Sequence, residues 1–134
     1  MGLLFVGNSN TEVFTLNTII IGDFGESAAA DYLRQAEYEI LERKYRLKIG
    51  EIDIIAKQNN IFVFIEVKTR RSTRYGFPAE AVTYRKQQKI LSTAQCYLKQ
   101  IGQNNACCRF DVMEIFLTQQ QVVKYNHIIN AFGR

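Results

Sequence analysis

At 134 residues, 47% apolar and 22% charged, the chain has the size and balance of one globular domain and not of a disordered or low-complexity segment. No apolar run approaches the roughly 20 residues needed to span a bilayer. Three cysteines, Cys96, Cys107 and Cys108, form an odd set without CxxC spacing, which argues against a disulfide framework or a zinc site and fits a reducing cytoplasm. The formal charge of +4 is unevenly held. Residues 1–66 carry 6 basic and 10 acidic side chains, whereas residues 67–89 carry 7 basic and one acidic. Such a local block suits a polyanion, although short charge blocks are also common on solvated surfaces.

Residues 1–22 alternate short apolar stretches with Asn, Ser and Thr, and lack the positive start and small-residue cleavage site of a signal peptide. They are compatible with an extra strand or a lead-in segment. From Gly25 the pattern turns helical, with Ala28, Ala29, Tyr32, Leu33 and Ala36 on one stripe. Asp23 is the expected N-cap, with Glu26 at capping-box spacing. Glu26 lies at the edge of the stripe, so an inward-pointing acid is the alternative reading. Residues 38–48 read as a first strand.

The stretch GEIDIIAKQNNIFVFIEVKTRR, residues 50–71, reads as two strands joined by a tight turn. With Asn59-Asn60 as a two-residue loop, Gln58 faces Ile61 and the register sets Asp53 opposite Glu66 and Glu51 opposite Lys68. Alternation puts Glu51, Asp53 and Ile55 on one face and Ile52, Ile54 and Ala56 on the other. On the second strand Phe62, Phe64, Glu66 and Lys68 share a face. Two carboxylates about 5 Å apart across a ladder repel. A nearby cation or a shared proton relieves that cost. The plainer reading is a Glu51–Lys68 ion pair beside an Asp53 that tolerates Glu66.

A polar loop containing Gly76 and Pro78 follows, then a second helix capped by Thr83 with a stripe of Ile90, Leu91, Ala94, Tyr97, Leu98 and Ile101. Gln87 extends that stripe and requires a hydrogen-bond partner. Residues 109–117 and 122–129 read as two last strands joined through Gln119–Gln121. The single histidine, His127, is far in sequence from the acidic cluster, which argues against His-dependent triads and His-zinc chemistry, and it reads as structural. The order is α-β-β-β-α-β-β.

Asp53, Glu66 and the Val67 backbone carbonyl are hard oxygen donors that suit Mg²⁺ or Mn²⁺. A magnesium ion so held polarises a phosphodiester and activates water, while Lys68 on the Glu66 face can orient the attacking water. Arg70, Arg71, Arg74, Arg85, Lys86 and Lys89 would hold the nucleic-acid backbone.

The spacing D-x(12)-E-x-K, after a helix bearing Glu26, resembles the PD-(D/E)xK nuclease superfamily. The blocks GEIDIIA, FIEVKTR, YGFPAEAVTYRKQQKI and RFDVMEIF resemble the YraN-like family of endonuclease-like proteins, related to archaeal Holliday-junction resolvases. The resemblance runs from about Gly22 to Phe132. It implies an α/β fold with a restriction-endonuclease-like core, a mixed central sheet flanked by helices, spanning residues 22–134 as one domain. Residues 1–21 form an N-terminal extension outside the pattern. It further implies that Asp53 and Glu66 bind Mg²⁺, that Lys68 serves the attacking water, that Glu26 completes the site from the first helix, and that Gln87 lines it from the second. Ile52 stands where the superfamily commonly has Pro. The expected activity is Mg²⁺-dependent hydrolysis of DNA, branched or repair-related, with a homodimer compatible with two-strand cutting. A catalytically silent nucleic-acid-binding module and a partner-binding scaffold are the competing expectations.

Overall fold

The computed structural model of the chain describes residues 10–71, 82–119 and 121–133. The elements in order are α1 (Asn10–Gln35), β1 (Glu39–Leu47), β2 (Gly50–Gln58), β3 (Ile61–Arg71), α2 (Tyr84–Gln100), β4 (Cys108–Thr118) and β5 (Gln121–Phe132). The strands form one five-stranded sheet in sequential order β1-β2-β3-β4-β5. β3 and β4 run parallel and every other neighbouring pair antiparallel, because α2 carries the chain back across the sheet between them. This is the mixed α/β arrangement expected from the sequence.

Strand alternation sorts the core into two layers. Val63 and Ile65 of β3 pack with Ala29, Ala30 and Leu33 of α1, whereas Phe62 and Phe64 pack with Ile90, Ala94, Tyr97 and Leu98 of α2. The helices therefore cover opposite faces. The β2–β3 turn is the expected one: Asn59 and Asn60 adopt φ of 51° and 66°, and Gln58 pairs with Ile61. Thr83 caps α2 as expected, its hydroxyl accepting the Lys86 N–H at 3.2 Å. The helix closes on Gly102 at φ 73°, with the Gln103 N–H reaching the Leu98 carbonyl at 2.8 Å.

The start of the first helix departs from expectation. α1 begins at Asn10, so Asp23 and Glu26 lie inside it and cap nothing. Separated by three residues, they fall on one helix face and meet cations of β1 instead. The boundary drawn between residues 21 and 22 thus falls within a continuous helix. The loop expected from Ser72 to Glu80, with Gly76, Pro78 and Arg74, lies outside the described residues, as do residues 1–9.

Two features hold the layers in register. Gly25 sits so close to β3 that a Cβ there would come within 1.9 Å of Thr69 Oγ1. On the same face, Asp111 of β4 is fully buried and accepts hydrogen bonds from the Arg109 guanidinium, from the Asn130 backbone N–H and at His127 Nε2. Arg109 also donates to the Tyr38 hydroxyl at 2.6 Å, tying the β4–β5 pair to the end of α1. His127 is accordingly structural.

Gly25→Ala is expected to destabilise the fold by about 1–3 kcal/mol in urea denaturation, and adding Thr69→Ala to recover part of that loss. Asp111→Ala should cost about 3 kcal/mol or more, because Arg109 is left without its buried counter-charge. A loss below about 1 kcal/mol would contradict this assignment.

Candidate active site

β2 and β3 pair only from Ile54–Ile65 to Gln58–Ile61. The register would next match Asp53 with Glu66, but there the ladder ends. Asp53 Oδ2 accepts the Val67 N–H at 2.8 Å, occupying the place of a ladder carbonyl. Strand alternation slips at the same point. Ile54 and Ala56 share one face as expected, packed under α1, but Ile52 leaves them and packs with Ile55 on the α2 side. The parting of β2 from β3 turns Asp53 into the gap between the strands instead of onto the α2 face. A strand residue directs its N–H and its C=O to the same neighbour. The Val67 carbonyl therefore faces this gap too.

Glu66 lies on the α2 side, 5% exposed, with Lys86 Nζ 2.7 Å from Oε2. Glu26, 6% exposed, approaches from the α1 side. Arg43 binds its Oε1 through Nε and Nη2 at 3.1 and 3.0 Å, and Lys44 reaches its Oε2 at 3.2 Å while also pairing with Asp23. Asp53 stands between the two glutamates. Burial and then the Glu66 charge push its carboxyl up to about 7, with a smaller contribution from Glu26, against the Val67 N–H and Lys86. Lys86 is held in its charged form above the ordinary range by Glu66, against its own desolvation.

A cavity of about 320 Å³ opens on the α1 side of Asp53, bounded by Gly22, Glu26, Lys44, Arg46 and Thr69. A second, of about 260 Å³, lies between Gly50–Glu51 and the Thr83–Ile90 turns of α2 and is bordered by Arg85, Lys86 and Lys89. The acids therefore sit between two recesses, the first lined by four carboxylates against Lys44 and Arg46, the second by three cations against Glu51. Two cations, Arg85 and Lys86, occupy the first turn of α2 and no acid does. The helix dipole disfavours that arrangement unless an anion is supplied.

Other expected site residues fall differently. Lys68 is half-buried beside Glu114 in the parallel register and makes no ion pair among the described residues. Glu114 is taken instead by Arg70 at 3.1 Å and Asn126 at 2.7 Å, so Arg70 braces the sheet. Glu51 does not meet Lys68; it turns to Arg46, 3.6 Å away. Gln87 donates to the Val82 carbonyl at 2.8 Å and is a satisfied amide; Lys86 is the α2 side chain that reaches Glu66. Arg71, Arg85 and Lys89 are exposed. No signal in the sequence paired Arg43 with Glu26, but Lys86 had one, a cation in a helix's first turn without a neighbouring acid.

Among the described residues, Asp53 Oδ1 and Glu66 Oε1 make no hydrogen bond, enough for Mg²⁺, which commonly takes one or two carboxylates and keeps its waters. Glu26 has both oxygens engaged, by Arg43 and by Lys44. Among the described residues no three Asp, Glu, His or Cys side chains cluster as a metal site.

Fold and site together define a mixed α/β domain with paired acids at a break in its sheet. Residues 25–115 match the family described as "Uncharacterised protein family UPF0102", and the chain belongs to that family, the YraN-like one. A UPF0102 protein of Clostridioides difficile (strain 630) is 47% identical over 111 residues, covering 83% of this chain and 95% of the relative. One from Clostridium botulinum (strain Loch Maree / Type A3) is 57% identical over 114 residues, covering 84% and 93%. Another, from Caldanaerobacter subterraneus subsp. tengcongensis, is 45% identical over 119 residues, covering 87% and 98%. Among the described residues, no helix is long and apolar enough to cross a membrane.

The raised Asp53 carboxyl gives a signed prediction. Its favourable contribution to stability is complete below the unfolded value of about 3.9 and is lost as pH rises through about 7. Asp53→Asn keeps an acceptor for Val67 without the charge. In chelator, its stability relative to the unmodified protein should rise by about 2 kcal/mol between pH 5 and pH 8. A pH-independent difference in thermal or urea unfolding would contradict the assignment.

Proposed function

We propose that this chain is a restriction-endonuclease-like, Mg²⁺- or Mn²⁺-dependent DNA endonuclease of the cytoplasm, acting on branched or repair-related DNA. The observation that carries the reading is the Asp53–Glu66 pair, held against its own repulsion at a break in the sheet. Burial and a neighbouring charge oppose ionisation of Asp53, and a bound dication reverses that balance.

Asp53, Glu66 and the Val67 carbonyl are the groups that would hold the ion. When bound, it supplies a polarised phosphoryl oxygen and a more acidic water. The Val67 N–H fixes one oxygen of Asp53 and so aims the other. Lys68, two residues beyond Glu66, would orient the attacking water and offset charge developing on the phosphate. Arg85, Lys89 and Arg71 are exposed cations able to hold backbone phosphates. Arg70 is less suited to that role because Glu114 engages it. Cutting both strands of a junction requires two sites, so the reading extends to a homodimer.

One observation favours a second reading, a silent nucleic-acid-binding module: Lys86 already neutralises Glu66 without a metal. The test is incubation with Mg²⁺ or Mn²⁺ and linear, flapped and four-way-junction DNA. Asp53→Ala and Lys68→Ala should each reduce cleavage at least about 100-fold. Cleavage retained in both variants sinks the endonuclease reading. Full DNA affinity in chelator with no turnover on any substrate supports the binding module.

A further inference from the structure

We infer that Lys86 is an exchangeable occupant of the Glu66 carboxylate: a divalent cation displaces it, and the freed ammonium takes a phosphate oxygen of the nucleic acid. The inference rests on the endonuclease reading and adds a coupling between metal and DNA through one side chain. Three observations carry it.

The contact is close, 2.7 Å, yet asymmetric. The Glu66 side chain is 5% exposed and fixed on β3, whereas that of Lys86 is 46% exposed. Lys86 can leave along its flexible stem without uncovering the core; Glu66 cannot. Lys86 also stands in the first turn of α2, where the dipole repels a cation and no acid of that turn compensates. Glu66 is what retains it there. A dication on the acids removes that retention and adds repulsion. Finally, the released ammonium remains beside Arg85, Lys89 and the helix N-terminus, all favourable to an anion. Metal-free, the lysine guards the acids; metal-bound, the same charge faces the substrate.

The test uses the full chain at pH 8, Ca²⁺ as the probe ion and a labelled DNA duplex at constant ionic strength, with calorimetry for the ion and anisotropy for the DNA. Lys86→Gln should bind Ca²⁺ roughly three- to tenfold tighter, as expected for loss of a half-exposed ionic competitor. The gain in DNA affinity on adding Ca²⁺ should shrink by a similar factor. Lys86→Arg, a stronger partner for a carboxylate, should weaken Ca²⁺ binding and guards against a folding defect in the glutamine variant. Unchanged or weaker Ca²⁺ binding by folded Lys86→Gln, or an undiminished DNA gain, overturns the inference. Failure of the unmodified protein to bind Ca²⁺ overturns it together with the metal-site reading. Exchange with these signatures but no cleavage of any DNA leaves the inference standing and removes the nuclease.

Discussion

The hydrogen bond from the Val67 N–H to Asp53 Oδ2 is the constraint on which the site depends. It ends the β2–β3 ladder at Ile54–Ile65 and lets a side chain finish what the backbone began. Without that acceptor, a backbone donor beside the core would lack a partner at the break. With it, the strands can part, Ile52 can turn to the α2 layer, and a carboxylate can stand at the bottom of the opening. The ion pairs of Glu26 with Arg43 and Lys44, and of Glu66 with Lys86, then neutralise the acids on either side.

Asp111 offers a comparison within the same molecule. It too accepts a backbone N–H, from Asn130, next to an irregularity in a strand pairing. Burial raises its pKa, but hydrogen bonds from His127, Arg109 and Asn130 outweigh that and bring it below the ordinary value. Asp53 performs the same backbone task among acids and moves the opposite way. One aspartate is surrounded by what satisfies it and builds the fold. The other is left in deficit, as suits a site awaiting a ligand.

Much of this was legible in the chain itself. Hydrophobic period located the second half of α1, α2 and the strands, and the Asn59-Asn60 turn gave the register that holds up to Ile54–Ile65, one step short of residues 53 and 66. The remainder depended on effects that period-2 and period-3.6 patterns do not encode. The Thr18–Ile21 run of β-branched residues reads poorly as helix, yet α1 passes through it. Strict alternation assumes an unbroken ladder, so it misassigned Ile52. Long-range pairings, Arg43 with Glu26 and Arg70 with Glu114, join residues 17 and 44 positions apart and leave no local trace. Gln87 and Lys86 differ by one position, about 100° around a helix. That rotation decided which of them met the acid.

The same break has a mechanical side. Tyr45 and Ile52, at the outer end of the β1–β2 hairpin, belong to the α2 packing layer; the Tyr45 hydroxyl donates to Gln100 at 2.6 Å, and Gly50 lies against Lys89 and Thr93 of that helix. The hairpin's outer end and α2 are therefore one unit, and the far end of β3, where Thr69 meets Gly25 of α1, is another. Asp53 and Glu66 lie on opposite banks of the seam between these units. Behind it both hydrophobic layers run across the two strands, Ile54 and Ile65 under α1 and Ile55 and Phe64 under α2, so the pair is clamped from both faces up to the point where it opens. The acids thus stand at the mouth of a cleft whose root is braced by both layers of the core.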